Sequence, residues 1–550
     1  MRARTLMVQG TGSGVGKSFL VTGLCRLFAQ AGLRVAPFKA QNMSLNAWVA
    51  ADGGEMARAQ AVQAEAAGVE PRVEMNPILL KPKGDGVSQV ILRGRPLGDL
   101  GAGALWAEGE RLWAAVAEAL DRLREAFDLV VIEGAGSPAE LNLRRHDLAN
   151  MRVAGAAGAP VLLVGDIERG GIFAALLGTL DLLPPEERRR VRGLVVNKFR
   201  GDLRLFEDGV RILEERGGVP VVGVLPRLEV EIEPEDALDL GGRAAWTAPA
   251  AEPGTLEIAV VLHPHLSNFS DLEPLRRRPG VRLRPVRRPE ELGEPDAILL
   301  PGSKNTVDDL RAHRESGLAA AVVARARAGS AVVGICGGLQ MMGERLDDPD
   351  GVEGEAGGWT GGSLPGLGLL PLETRFLPGK RTRQAEGRVV APAQGWEGLA
   401  VRGYEIHSGR SRLLPGGRPF ALLRPAGPGG PGDRDGAGGA AAASAPEEAD
   451  GAFASPFLWG SYLHGLFENE ALLERWLAEL RAARARRAPG AVPAGSRAEA
   501  GGPGAGAGSA FGRSWRERQY DALAQALREH LDLELIGSLV GVRLEAGSGR

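Results

Sequence analysis

Cysteine is nearly absent. The 550-residue chain has two, Cys25 and Cys336, too few for a disulfide framework and at home in a reducing cytoplasm. No apolar run is long and charge-free enough to span a bilayer. The first residues enter a strand pattern without the basic segment and cleavage pattern of a secretory signal. Net charge is only −3, so no overall field draws the chain to nucleic acid or to an anionic membrane. No repeat of solenoid length recurs. These absences predict a cytoplasmic protein with neither a nucleic-acid nor a membrane partner, and leave a homo-oligomer open.

What is present is ordinary for a globular chain: 44% hydrophobic and 25% charged residues. The length exceeds one hydrophobic core and implies two or three domains. Short β-branched runs near residues 5–9, 34–38, 129–133, 161–165, 193–197 and 219–225 alternate with helical patterns such as 18–30 and 105–127. That alternation predicts an α/β domain over 1–245 with a parallel sheet covered on both faces. A polar, Pro-containing stretch at 233–254 breaks it. A second α/β series fills 255–485, with strands near 256–262, 297–300 and 331–335 and a mostly β region over 366–423. Two Gly/Ala/Pro-rich tracts, 425–454 and 488–512, read as a surface insertion and a linker. The apolar face of 513–545 predicts helices packed on the second domain.

Gly10-Thr11-Gly12-Ser13-Gly14-Val15-Gly16-Lys17-Ser18 follows a strand and opens a helix. In that context the glycines let backbone N–H groups cradle phosphate oxygens, with Gly12, Gly14 and Gly16 closest. Lys17 supplies positive charge to the β/γ-phosphates, and the Ser18 hydroxyl suits Mg²⁺. Thr11 stands where the strict phosphate-loop pattern has Gly. Glu133 and Asp166 each end an apolar strand at the sheet edge where ligands bind, so both are candidate metal ligands. Asn197 ends another strand and is a candidate for nucleotide contact. ATP and Mg²⁺ are the cofactors this pattern predicts.

Cys336 sits in Val332-Val333-Gly334-Ile335-Cys336-Gly337-Gly338-Leu339-Gln340, a strand, tight turn and helix that would present the thiol as a nucleophile. The helix start offers N–H donors to an oxyanion and favours a thiolate. Cys25, inside the helix after the phosphate loop, reads instead as inert core. A thiol nucleophile needs a base. Of seven histidines, His464 in Tyr462-Leu463-His464-Gly465 and His407 in Tyr404-Glu405-Ile406-His407 both fit, and residue chemistry does not choose between them.

Taken in order, these segments resemble the cobyric acid synthase family over nearly the whole chain. The resemblance is carried by the variant phosphate loop and by Phe38-Lys39-Ala40-Gln41-Asn42-Met43-Ser44-Leu45-Asn46. It continues through Met75-Asn76-Pro77, Leu80-Lys81-Pro82, Glu133-Gly134-Ala135-Gly136-Ser137-Pro138 and Gly165-Asp166-Ile167-Glu168-Arg169-Gly170-Gly171. Asn197-Lys198-Phe199-Arg200-Gly201-Asp202, Leu300-Pro301-Gly302-Ser303-Lys304-Asn305-Thr306, the Cys336 turn and the His464 segment complete it. It implies an N-terminal synthetase domain like dethiobiotin synthetase and a C-terminal class I glutamine amidotransferase domain. Cys336 then matches the family nucleophile and His464 its histidine, with Gly302, Gly337 and His407 around the oxyanion and glutamine pocket. Many amidotransferases of this type carry Glu two residues after the histidine. Here that position is Leu466, so the motif does not name the residue that orients His464. The stretch Gln41-Asn42-Met43-Ser44 favours this family over the related a,c-diamide synthases.

The implied reaction is ATP- and glutamine-dependent amidation of corrin side-chain carboxylates through an acyl phosphate. A corrin polycarboxylate and L-glutamine are then the expected partners. Lys39, Gln41, Asn42, Lys81, Arg144 and Arg145 are candidates to meet the corrin carboxylates. A nucleotide switch of the partitioning type is a rival from another class. The extra lysine such loops carry would fall at Gly12, which argues against it.

Overall fold

Runs that are apolar at every position can be buried only between two layers, and they form the strands of two parallel sheets. The computed structural model describes residues 2–84, 86–233, 254–353, 359–426, 445–487 and 513–544. The inter-domain stretch expected near 233–254 lies almost wholly outside the described residues, as do most of the 425–454 tract and all of 488–512.

The first sheet has six strands: β1 (Arg4–Gly10), β2 (Val35–Phe38), β3 (Leu129–Glu133), β4 (Val161–Asp166), β5 (Val191–Phe199) and β6 (Val221–Pro226). Their order is β6-β5-β4-β1-β3-β2, all parallel. Every residue of β3 and β4 is buried. Helix α1 (Lys17–Gln30) follows β1 after the loop of residues 11–16. Because β1 lies between β3 and β4, the chain leaves it toward opposite sides. A crevice opens there at the carboxyl ends of the strands.

Residues 41–101 were not anticipated as sheet. They form a four-stranded sheet from Gln41–Met43, Ile78–Gly84, Val87–Leu92 and Arg95–Gly101. A small hairpin, Ala47–Val49 with Glu55–Ala57, stands beside it. This layer faces the second domain.

The second sheet comprises β7 (Leu256–Val261), β8 (Val281–Val286), β9 (Ala297–Leu300), β10 (Ala331–Ile335), β11 (Ala452–Ser455) and β12 (Leu458–Ser461), ordered β8-β7-β9-β10-β12-β11. Only β11 is antiparallel. A second β layer, led by Leu372–Val389 paired with Ala400–Leu413, packs alongside. Part of the expected insertion is therefore ordered: Glu448–Asp450 extends the second layer and β11 completes the sheet edge.

The C-terminal helices correct an expectation. Helices α3 (Arg513–His530) and α4 (Leu533–Leu539) lie on the first domain, not the second. Leu523, Ala524, Leu527, Leu531 and Ile536 join the core of Leu6, Leu20, Leu24, Val195 and Val222. Gly23 of α1 permits the approach, since a Cβ there would stand 2.5 Å from a Leu527 methyl. Arg26 and Gln30 of α1 both hydrogen-bond Asp521. The outer face of α1 needed an apolar cover, and α3 supplies it at roughly 1.5–3 kcal/mol per buried leucine. Only the start of α3 reaches the second domain, where Arg516 pairs with Glu468 and Arg277 stacks on Trp515.

Candidate active site

The phosphate loop spans residues 11–16 between β1 and α1. Gly16 has φ 101°, open to glycine at little cost. A Cβ there would also collide with the Asn197 amide nitrogen at 2.1 Å. The Asn197 amide donates to the Val15 carbonyl at 2.9 Å. Lys17 arches back over the loop, its ammonium 2.7 Å from the Gly12 carbonyl and 3.1 Å from that of Gly136. Ser18 Oγ donates to Glu133 Oε1 at 2.8 Å. Glu133 is fully buried and also takes Lys39 Nζ at 2.8 Å and Gln63 Nε2 at 2.6 Å. A buried carboxylate needs such donors to replace its lost hydration. In front lies an open cavity of about 1340 Å³, lined by the loop together with Lys39, Gln41, Asn42, Arg144 and Arg145.

A hydroxyl and a carboxylate side by side are hard oxygen donors of the kind Mg²⁺ accepts, with phosphate and water completing its shell. Ser18 and Glu133 therefore fit the ion. Asp166 is met by Lys198 Nζ at 2.8 Å and by the Glu168 N–H at 2.9 Å. Asn197 is spent behind the loop rather than facing the cavity.

The thiol site is built from distant segments. Cys336 joins β10 to the short helix α2 (Gly337–Met342) with φ 51° and ψ −107°, a strained turn of the type stored at functional sites. Its sulfur points to the Ile406 carbonyl, 3.5 Å away, and lies near enough to His464 to act on its charge. His464 is 1% exposed. Its Nδ1 meets Asp271 Oδ2 at 2.7 Å, and the other carboxylate oxygen takes the Gly465 N–H at 2.7 Å. Burial alone would lower the imidazole pKa. The Asp271 carboxylate and the Cys336 sulfur overcome it and raise the value to about 10. Gly302 and Gly337 border the same spot: a Cβ on Gly302 would lie 3.1 Å from His464 Cε1, and one on Gly337 would lie 2.8 Å from the Ser303 nitrogen.

His407 is held differently. Its ring stacks on Tyr462 at 3.9 Å and bonds the Gly409 carbonyl and Glu405. It lines the cleft without pairing with the thiol. The geometry thus separates the two histidines that residue chemistry alone left level, on the side of the one that the family resemblance points to. Cys25 is fully buried, and burial pushes its thiol pKa far up, in keeping with an inert core residue.

The domains meet beside these side chains. Asn268 Oδ1 accepts from the Ala47 N–H at 3.1 Å, Ser270 Oγ donates to Asn46 Oδ1 at 3.2 Å, and Tyr404 Oη donates to the Ala47 carbonyl at 3.1 Å. Asn268 and Ser270 lie three residues and one residue before Asp271 in sequence. The Tyr404 ring stacks on His464 at 5.3 Å.

Comparison with known proteins agrees with this division. Residues 6–237 match a family model described as a CobQ/CobB/MinD/ParA nucleotide binding domain, and residues 257–472 one described as a CobB/CobQ-like glutamine amidotransferase domain. A cobyric acid synthase of Sorangium cellulosum is 48% identical over 98% of this chain and 99% of its own length. One of Roseiflexus castenholzii is 51% identical over 87% of this chain and 92% of its own. The chain belongs to the cobyric acid synthase family. It is a ligase whose nucleotide-binding domain is joined to a glutamine amidotransferase domain. No helix among the described residues is long and apolar enough to cross a membrane.

Two further placements depart from the sequence reading. Lys81 lies not at the phosphate cavity but in the cleft of Cys336, 3% exposed and bonded to Glu55. Asp271, which fills the place expected of a Glu after His464, was missed. It stands 193 residues before its partner, at the end of Asn268-Phe269-Ser270-Asp271, and only the fold brings it near.

Proposed function

We propose that the chain amidates the b, d, e and g side-chain carboxylates of (adenosyl)cobyrinic acid a,c-diamide, giving cobyric acid, at the expense of ATP and glutamine. The observation that carries this reading is the coexistence, in one family member, of two separate centres. A phosphate loop with a Ser18–Glu133 pair faces a cavity wide enough for a nucleotide beside a large polyanion. A thiol–imidazole–carboxylate set lies in a narrow cleft elsewhere.

At the first centre a substrate carboxylate oxygen attacks the γ-phosphorus, forming an acyl phosphate and releasing ADP. Lys17 meets the charge developing on the transferring group. Mg²⁺, when held by Ser18 and Glu133, neutralises phosphate charge there. Lys39, Gln41, Asn42, Arg144 and Arg145, which line the cavity, would bind the acid. At the second centre the Cys336 thiolate attacks the carboxamide carbon of glutamine. The N–H groups of Gly337 and Gly302 hold the oxyanion. The His464 imidazolium gives its proton to the departing nitrogen as the C–N bond breaks, and Asp271 keeps that ring oriented. Water then cleaves the thioester to glutamate and free thiol. The ammonia attacks the acyl carbon, the C–O bond to phosphate breaks, and amide and inorganic phosphate leave.

The test is corrin-dependent ADP release with glutamine, compared across unrelated carboxylic acids, using a corrin whose carboxylates carry ¹⁸O. One ¹⁸O should appear in inorganic phosphate per amide formed. ADP release indifferent to the corrin, or phosphate free of the label, would sink the reading.

A further inference from the structure

The cleft of Cys336 contains charged groups that the chemistry at sulfur does not use. Lys81 and Gln89 enter it from the nucleotide-binding domain, and Lys304, Glu353 and Lys380 from the amidotransferase domain. Lys81 and Lys380 reach Glu55 from opposite domains, at 2.7 and 2.6 Å, and that carboxylate is 1% exposed. Glu353 accepts the Thr306 N–H at 2.7 Å, two residues beyond Lys304. No carboxylate lies within ion-pairing distance of the Lys304 ammonium among the described residues. Of the three lysines lining the cleft, Lys81 and Lys380 are paired with Glu55 and Lys304 has no carboxylate at that distance among the described residues. A sequestered ammonium is unfavourable until an anion joins it. Gln89 adds a buried carboxamide oxygen without a hydrogen-bond donor among the described residues.

The free space beside the thiol is about 40 Å³, room for roughly three water molecules. That suits a carboxamide tail and leaves the polar head of an amino acid at the mouth, among these groups. Glutamine is distinguished from other primary amides by an α-carboxylate and an α-ammonium. We propose that Lys304 receives the α-carboxylate of glutamine and Glu353 its α-ammonium, while Lys81, locked by Glu55, closes the site from the nucleotide-binding domain. Both domains then build the amino-acid pocket. The electrostatics agree: burial pulls the Lys304 ammonium down to about 8 and raises the Glu353 carboxyl. Each ionised form would gain from the opposite charge of a bound zwitterion.

This inference rests on Cys336 as the nucleophile, and the experiment separates the two. Full-length enzyme is assayed for deamidation of glutamine, of glutaramate, which lacks the α-ammonium, and of 4-aminobutanamide, which lacks the α-carboxylate. The wild type should favour glutamine by about 100-fold or more in kcat/KM, because a site built for a charged group rejects its absence. Lys304→Met should raise the glutamine KM at least about 30-fold yet barely change 4-aminobutanamide turnover, so that preference collapses. Glu353→Gln should likewise raise the glutamine KM while barely changing glutaramate turnover. Lys304→Arg, which keeps the charge, should retain most of the preference and controls for folding. Lys81→Met should raise the glutamine KM about tenfold with little change in kcat. Unchanged preferences in Lys304→Met and Glu353→Gln, or equal losses on all three amides, would overturn the assignment. Deamidation surviving in Cys336→Ala would instead overturn the reading beneath it.

Discussion

The two centres of this molecule are built on opposite plans. The phosphate cavity is wide, about 1340 Å³, and its key elements come from one uninterrupted stretch of nine residues and the strand end beside it. The thiol cleft opens only about 40 Å³, and the carboxylate, thiol and imidazole gathered there come from segments near residues 271, 336 and 464. The difference follows from what each must hold. Phosphates are bound largely by backbone N–H groups, which one loop can supply in sequence. Nucleophilic catalysis needs three different side chains at fixed distances, which no single turn can supply. The first centre can vary in its surroundings as long as the loop survives. The second depends on the whole domain, and on its neighbour, to keep its geometry.

The sharpest way to break the comparison is to disable each centre alone. Cys336→Ala should lower glutamine-supported amidation by at least about 10³-fold while ammonia-supported amidation stays within about twofold. Lys17→Ala should abolish both, since activation precedes either nitrogen source. Amidation rates with each donor decide it. Loss of both activities in a folded Cys336→Ala protein would mean that the centres are not separate.

Next in size is Asp271→Asn, which keeps the shape and removes the charge that holds His464. Glutaminase kcat should fall about 10²- to 10⁴-fold. The pH profile gives a second readout. With the imidazole raised to about 10, the imidazolium is present from below its ordinary range up to that value and is lost above it. Removing the carboxylate should move the alkaline limb of kcat/KM to lower pH. The same raised value contributes stability that is complete below about pH 6.5 and disappears as pH rises through about 10. A limb unmoved by Asp271→Asn would show that another group orients the ring.

Much of this was legible in the chain because local chemistry specified it. The strand–glycine loop–helix of Gly10 to Ser18, the Cys336 turn and the apolar strands ending in Glu133 and Asp166 each announce themselves within about ten residues. Asp271 could not be read, because its partner is set by how β7 and β12 share a sheet. Lys81 was misplaced for a related reason: the layer over residues 41–101 was not recognised, so nothing indicated that its strand faces the other domain. The C-terminal helices showed an apolar face, but a face does not name what it covers. That last point has its own check. Leu527→Ala should destabilise the nucleotide-binding domain by about 2–5 kcal/mol through the cavity it leaves beneath α1. Urea unfolding followed by nucleotide binding should move to lower denaturant. An unfolding midpoint that does not move would contradict the packing.

The smallest effect probes the seam between the two plans. The Tyr404 hydroxyl reaches the Ala47 carbonyl in the nucleotide-binding domain while its ring lies on His464. Residues 41–43, a few positions earlier, line the phosphate cavity. Movement of that strand on ligand binding would therefore press on the imidazole through Tyr404 and on Asp271 through Asn268 and Ser270. Tyr404→Phe keeps the stacked ring and deletes one buried hydrogen bond, a change of about 1–2 kcal/mol. If the seam transmits occupancy, glutaminase without ATP or acceptor should change little. The stimulation produced by adding both should shrink about three- to tenfold. If stimulation is unchanged while basal glutaminase falls, Tyr404 only supports the ring, and the two centres operate side by side without exchanging information along this contact.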